Sequence, residues 1–180
     1  LQDAIRQVHS AGHDIEQLRG CEGAATREFF RGYRAILPES VGFDGRNRRP
    51  PRDPVNATLS LGYTLSHGDA LKAVHRAGLD PALGLLHEPL YGRDSLVCDL
   101  NELARARVEW LVWRLFADQE LRAEDFSRQQ DGAMLLGKAG RQRFYAGYEQ
   151  HAAVHRRLLR QAVSHYARAL GRSDEEPAHG

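Results

Sequence analysis

The stretch LHEPLYGRDSLVCDLNE, Leu86 to Glu102, sets one imidazole, His87, ahead of two acids three residues apart, Asp99 and Glu102. If a helix begins at Ser95, residues three apart are neighbours on its surface and the two carboxylates share a face. Leu96, Val97, Leu100 and Leu103 surround them and leave the acids on a narrow polar strip. A further acid, Glu22 in CEGAATREFF, opens another helical pattern. Singly, each has a plain structural reading. Glu22 is a first-turn charge, His87 a hydrogen-bonded loop residue, and Asp99 and Glu102 a solvated face with Arg105 in reach of Glu102. Together they point to chemistry, because carboxylates held close and ionised need a cation. One imidazole among carboxylate oxygens suits Mn²⁺ or Mg²⁺ better than a structural zinc. Such an ion polarises a phosphate and lowers the pKa of an attacking hydroxyl or water, so the expected substrate is a phosphodiester.

The segment GFDGRNRRPPRDP, residues 42 to 54, fits that substrate. Two adjacent prolines and two glycines exclude regular structure there. Arg46, Arg48, Arg49 and Arg52 repel one another unless solvated or opposed by anions, and guanidinium forks match phosphate geometry. A solvated basic loop is the competing reading. Arg27, Lys138, Arg141 and Arg143 extend the same basic surface, although ion pairs on exposed helices account for them almost as well. Tyr33, Tyr63 and Tyr91 are candidates for stacking on bases, the first two reading better as core residues.

The elements that must position these groups are helices. Apolar residues recur at helical spacing and no stretch sustains the alternation of half-buried strands, so the fold class is all-α. Leu1, Ile5 and Val8 begin a first pattern that ends near Gly12 or continues brokenly to Leu18; a second runs from Cys21 to Leu37 and stops at Pro38. Asp53 stands as an N-cap with Pro54 at the first helical position, and that helix ends by Gly78. Ser95 caps a helix to about Phe116, residues 117 to 137 read as a polar, partly disordered connection, and Lys138 to Leu170 is a long helix weakened at Gly140 and Gly147. The helical domain covers 1–170, with 171–180 a mobile tail.

The 180 residues are 42% hydrophobic and 27% charged with a formal charge of +1, a globular composition that leaves any polyanion contact local. No apolar run is long enough for a membrane helix and no signal-peptide pattern opens the chain. Cys21 and Cys98 lack zinc spacing and read as reduced packing residues. The chain begins at Leu1, directly in a helical pattern, and reads as a piece of a longer protein.

Three segments in fixed order, CEGAATREFF, GRNRRPPRDPVNATLSLGYTL and AGLDPALGLLHEPLYGRDSLVCDLNE, resemble the CRISPR-associated integrase, the spacer-acquisition protein of prokaryotic adaptive immunity. The resemblance covers nearly the whole chain. It implies Glu22, His87 and Glu102 as ligands of Mg²⁺ or Mn²⁺, with Asp99 as an additional catalytic acid. Arg27 falls on a basic position after the first Glu, and Asp53 and Asn56 match polar residues opening the central helix. The implied fold is the family's α-helical catalytic domain, without the β-rich amino-terminal domain that mediates much of the dimer contact. The implied activity is a metal-dependent transesterification, in which the 3′ hydroxyl of a short duplex attacks a phosphodiester at a repeat border, with DNA cleavage in vitro. Implied partners are double-stranded and branched DNA, a small ferredoxin-like protein of the adaptation complex, a second copy when the amino-terminal domain is present, and a fused reverse transcriptase or exonuclease, all in the cytoplasm. One departure is His67, after the run Gly62 to Leu65, where many members carry Tyr. The rival reading is a non-catalytic DNA-binding scaffold, which needs only the basic surfaces.

Overall fold

A computed structural model describes residues 15–84 and 91–173, with the side chains of 15–19, 22 and 171–173 outside the description. The first helical pattern before Gly12, the His87 segment and the tail from 174 lie outside the described residues. Among those described, four α-helices dominate: α1 (Ile15–Ala35), α2 (Pro54–Arg76), α3 (Ser95–Ala117) and α4 (Lys138–Ser173). No described helix is long and apolar enough to cross a membrane.

Local chemistry sets the helix starts and stops. Asp53 Oδ1 accepts the Asn56 backbone N–H at 2.8 Å and Pro54 occupies the first helical position, so α2 begins where its sequence demands. It ends before Gly78, whose φ of +71° suits a residue without a Cβ. At α3 the expectation of a Ser95 cap is corrected. The cap position is Asp94, which makes no capping bond, and Ser95 is the first helical residue, fully buried. The Asp94 carboxylate is instead turned to His67.

The connection between α3 and α4 is also corrected. Residues 117–137 hold a 3-10 turn (Ala123–Asp125) and an antiparallel hairpin, β1 (Phe126–Arg128) with β2 (Met134–Leu136), Phe126 opposite Leu136. Strands of three residues are too short to show alternation. The hairpin is clamped to the arginine loop, Met134 N–H donating to the Pro51 carbonyl at 2.7 Å, and Phe126 lies 6.1 Å from Phe116, ring to ring.

Two buried clusters run along the α2–α3–α4 bundle. At the loop end, Phe30, Tyr33, Phe43, Leu59, Val112, Phe116 and Phe144 form an aromatic-rich core; at the other, Val74, Leu96, Val97, Leu100, Leu159 and Val163 form an aliphatic one. Full burial of each large side chain stabilises by about 1.5–3 kcal/mol. The helices cross closely because glycines stand at the crossings. A Cβ on Gly62 of α2 would sit 2.6 Å from Val108 of α3, and one on Gly147 of α4 would sit 3.2 Å from Leu115. Gly147 therefore marks a packing contact rather than a weak point, and α4 runs unbroken three residues past the expected boundary at Leu170.

Candidate functional site

A cleft of about 520 Å³ opens between α2 and α3. Ser60, Tyr63, Thr64 and His67 line it from α2, and Cys98, Asn101, Glu102 and Arg105 line it from α3. Both sets follow the spacing i, i+3, i+4, i+7, so each helix turns one continuous stripe to the cleft. Arg46, Arg48 and Arg49 close it from the loop and Arg93 from the turn before α3.

The loop over the cleft is built on Asn56, which is fully buried. Its Nδ2 donates to the Gly45 carbonyl at 2.8 Å and to Asp53 Oδ2 at 2.6 Å, while its Oδ1 accepts from Asn47 N–H at 3.0 Å and Arg46 at 2.7 Å. Asn47 in turn accepts the Arg52 N–H at 2.9 Å. Arg46 also reaches Ser60 Oγ at 3.2 Å and stands 5.5 Å from the centre of the Tyr63 ring. Burial lowers the Arg46 pKa, with Arg48 and Arg105 adding to the effect against Tyr63 and Asp53. This arginine is structural as much as receptive; Arg48 and Arg49 are the exposed loop charges at the cleft.

On α3, Arg105 ties the cleft wall together. It donates to Glu102 Oε2 at 2.8 Å, lies 3.6 Å from Glu109 Oε1 and stands 5.7 Å from the Tyr63 ring centre. Burial works against its charge, but Glu102, then Tyr63 and Glu109, outweigh it and raise its pKa. Tyr63 donates its hydroxyl to Glu109 Oε1 at 2.6 Å, and Tyr33 donates to the Glu109 carbonyl at 2.7 Å. Burial first, then the Glu109 charge, pushes both phenols above their usual range. Farther along, His67 Nε2 lies 3.1 Å from Asp94 Oδ2, and Ser66 donates to Asn101.

Of the residues singled out in the sequence, Glu102, Arg46, Arg48, Arg49, Tyr63, His67, Cys98 and Arg105 meet at this cleft. Asp99 is buried on α3 and is not part of the cleft lining. Glu22 lies within α1 with its side chain outside the description, and His87 lies outside the described residues. Arg27 and Lys138 are exposed, Arg141 donates to the Leu136 carbonyl at 3.0 Å, and Arg52 is exposed with its carbonyl accepting from Arg128. Arg143 pairs with Asp125 and donates to the Glu120 carbonyl at 2.7 Å, so its charge is balanced locally. Tyr33 is buried, Tyr63 half-buried and Tyr91 fully exposed. No three His, Cys, Asp or Glu side chains group as a metal site among the described residues. Glu102 itself fits an oxygen-seeking divalent ion: its side chain is 43% exposed, and Oε1 has no partner among the described residues. Arg93, Asn101 and Glu109 were not singled out, nor were the bonds of Tyr63 and Arg105 to Glu109. Glu109 had one legible signal, an acid on the stripe of Val108, Leu111 and Val112.

The family model of "CRISPR associated protein Cas1" matches residues 1–150. Over 171 residues the chain is 42% identical to a "CRISPR-associated endonuclease Cas1 1" of Thermodesulfovibrio yellowstonii, covering 94% of this chain and 54% of that protein. It is 37% identical over 172 residues to a "CRISPR-associated exonuclease Cas4/endonuclease Cas1 fusion" of Geobacter sulfurreducens, covering 92% of this chain and 29% of that one. Its fold is similar to a chain of a solved "Cas6-RT-Cas1--Cas2 complex", with a TM-score of 0.86 and 27% identity over 96% of this chain and 20% of that chain. The chain thus spans about half the length, or less, of these proteins.

Proposed function

The chain belongs to the Cas1 family of CRISPR-associated proteins, and from that premise we propose that it is the DNA-cutting and DNA-joining part of a metal-dependent integrase. The observation that carries the proposal is the cleft itself, where arginines from a loop and a turn face the half-exposed Glu102 carboxylate across two matched helical stripes.

Glu22, His87 and Glu102 would hold Mg²⁺ or Mn²⁺, as the family resemblance implies. When bound, such an ion supplies charge neutralisation at the phosphate and a lowered pKa for the attacking oxygen. The remaining work falls to this chain's own groups. Arg48, Arg49 and Arg93 hold backbone phosphates at the cleft mouth without reading sequence. Arg105 aims Glu102 by donating to its Oε2. In the reaction a 3′ hydroxyl oxygen bonds to phosphorus as the opposite P–O bond breaks, leaving a new 3′ hydroxyl; with water as the nucleophile the same exchange is cleavage. Asp99, buried one turn from Glu102, would orient a ligand, water or second ion.

The Cas4-fused relative and the Cas2-containing complex support a place for the chain within a larger assembly; the family resemblance adds a small ferredoxin-like partner and branched or double-stranded DNA. The test is Mn²⁺-dependent strand transfer and cleavage on branched duplex DNA, using the chain alone and a form extended to the length of its relatives. Product formed by the extended form and lost in His87→Ala supports the reading. An extended, folded protein that yields no product with any divalent ion overturns it in favour of a DNA-binding scaffold.

A further inference from the structure

The face of α3 turned away from the cleft meets α4 along a second groove of about 830 Å³. Three large apolar side chains stand open there: Leu103 is 59% exposed, Trp110 44% and Val154 48%. Clustered exposure of this kind marks an interaction surface rather than ordinary scatter. Arg107 and Arg114 flank Trp110 on α3, and seven residues of helix set them about 10.5 Å apart along its axis. Arg114 lies 5.3 Å from the Trp110 ring centre and donates to Asp118 at 3.1 Å, while Arg107 has no carboxylate partner among the described residues. Two imidazoles complete the groove. His155 is 4% exposed, and neither its Nε2 nor the buried Nδ1 of His151 has a hydrogen-bond partner among the described residues. Buried polar atoms are nearly always satisfied, so two orphaned nitrogens lining one groove point to something that belongs in it.

We propose that this groove is a docking site for an acidic amphipathic helix of another protein. One apolar side chain of that helix enters between Leu103, Trp110 and Val154, and carboxylates seven residues apart on the same face reach Arg107 and Arg114. A polar group or water beside the anchor meets His151 and His155. The charge pattern selects this occupant over others. A second copy of the chain, paired about a two-fold axis, sets arginine against arginine. Nucleic acid leaves three large apolar side chains facing a phosphate backbone. An apolar anchor between two carboxylates matches both features and is how amphipathic helices enter grooves generally.

The experiment measures fluorescence anisotropy of three labelled helical peptides of equal composition, with a central Leu and two Glu residues spaced four, seven or eleven apart. The seven-spaced peptide binds about tenfold more tightly than the others, and Arg107→Glu or Val154→Lys removes that preference while the protein's melting temperature holds. A peptide with Lys in place of Glu recovers binding to Arg107→Glu, which a merely structural role for Arg107 would not produce. Equal binding of all three peptides, survival of binding in both variants, or displacement by duplex DNA overturns the proposal. So does a dimer in sedimentation that Val154→Lys dissociates, because a second copy then covers the groove.

Discussion

Helix α3 separates two hollows of opposite character. On the α2 side most polar groups of the cleft wall are engaged, Arg105 with Glu102, Glu109 and Tyr63, His67 with Asp94, Arg46 with Asn56 and Ser60, although the buried Arg46 Nε has no partner among the described residues. On the α4 side apolar surface lies open and two imidazole nitrogens lack partners among the described residues. The difference teaches how to tell a reaction site from a contact surface. The first is preorganised, because charge must already stand where charge will develop. The second is left incomplete, because the missing half arrives with the partner.

The sharpest way to break this comparison is Glu102→Gln, expected to reduce Mn²⁺-dependent DNA cleavage by about a hundredfold or more while Val154→Lys leaves it unchanged, read as initial rates on branched DNA. Equal losses from both erase the distinction between the two faces. Next in size is Asn56→Ala. It strands the Gly45 carbonyl, Asp53 and Arg46, and destabilises by about 2–3 kcal/mol in a denaturant titration. It also steepens the salt sensitivity of DNA binding if the loop then holds phosphates only by diffuse charge. Tyr63→Phe removes one donor from Glu109 and costs about 1 kcal/mol by the same titration.

Much of the fold was legible in the sequence because its signals are local. Asp53 before Pro54 marks the start of α2, and the repeat of Leu96, Leu100, Val108 and Leu115 marks α3. The hairpin was not, since what makes Phe126–Arg128 a strand is its pairing with Met134–Leu136 and a bond from Met134 to Pro51, far away in sequence. Gly140 and Gly147 read as helix weaknesses because propensity is local, whereas the neighbours a Cβ would meet are tertiary. At the cleft, the arginines and Glu102 announce themselves by type. The bond between Tyr63 and Glu109 does not, because partners 46 residues apart leave no short-range signature.

A smaller effect sharpens the view of the groove through pH. Burial, aided by Arg107 and Arg156 and opposed by Asp69, keeps the His155 pKa below its ordinary value. The folded protein therefore holds this imidazole neutral while the unfolded chain takes up a proton as pH falls below about 6.5. The associated stability is complete above that pH and is lost as pH falls through the lowered value that the folded state imposes. His155→Gln flattens this part of the melting-temperature profile, and an unchanged slope shows that the groove holds its histidine in a wetter setting. Val154→Lys, on an exposed position, shifts stability by no more than about 0.5 kcal/mol.

The contact of Gly62 with Val108 has a consequence for how the cleft meets its cargo. With a missing methyl group already used to bring α2 and α3 together, the two stripes that floor the cleft have no room to close further, and their side chains are cross-tied against opening. If the cleft takes DNA as proposed, a bent or branched strand has to fit a frame of fixed width, closed from above by a loop that is itself pinned through Asn56 and Pro51.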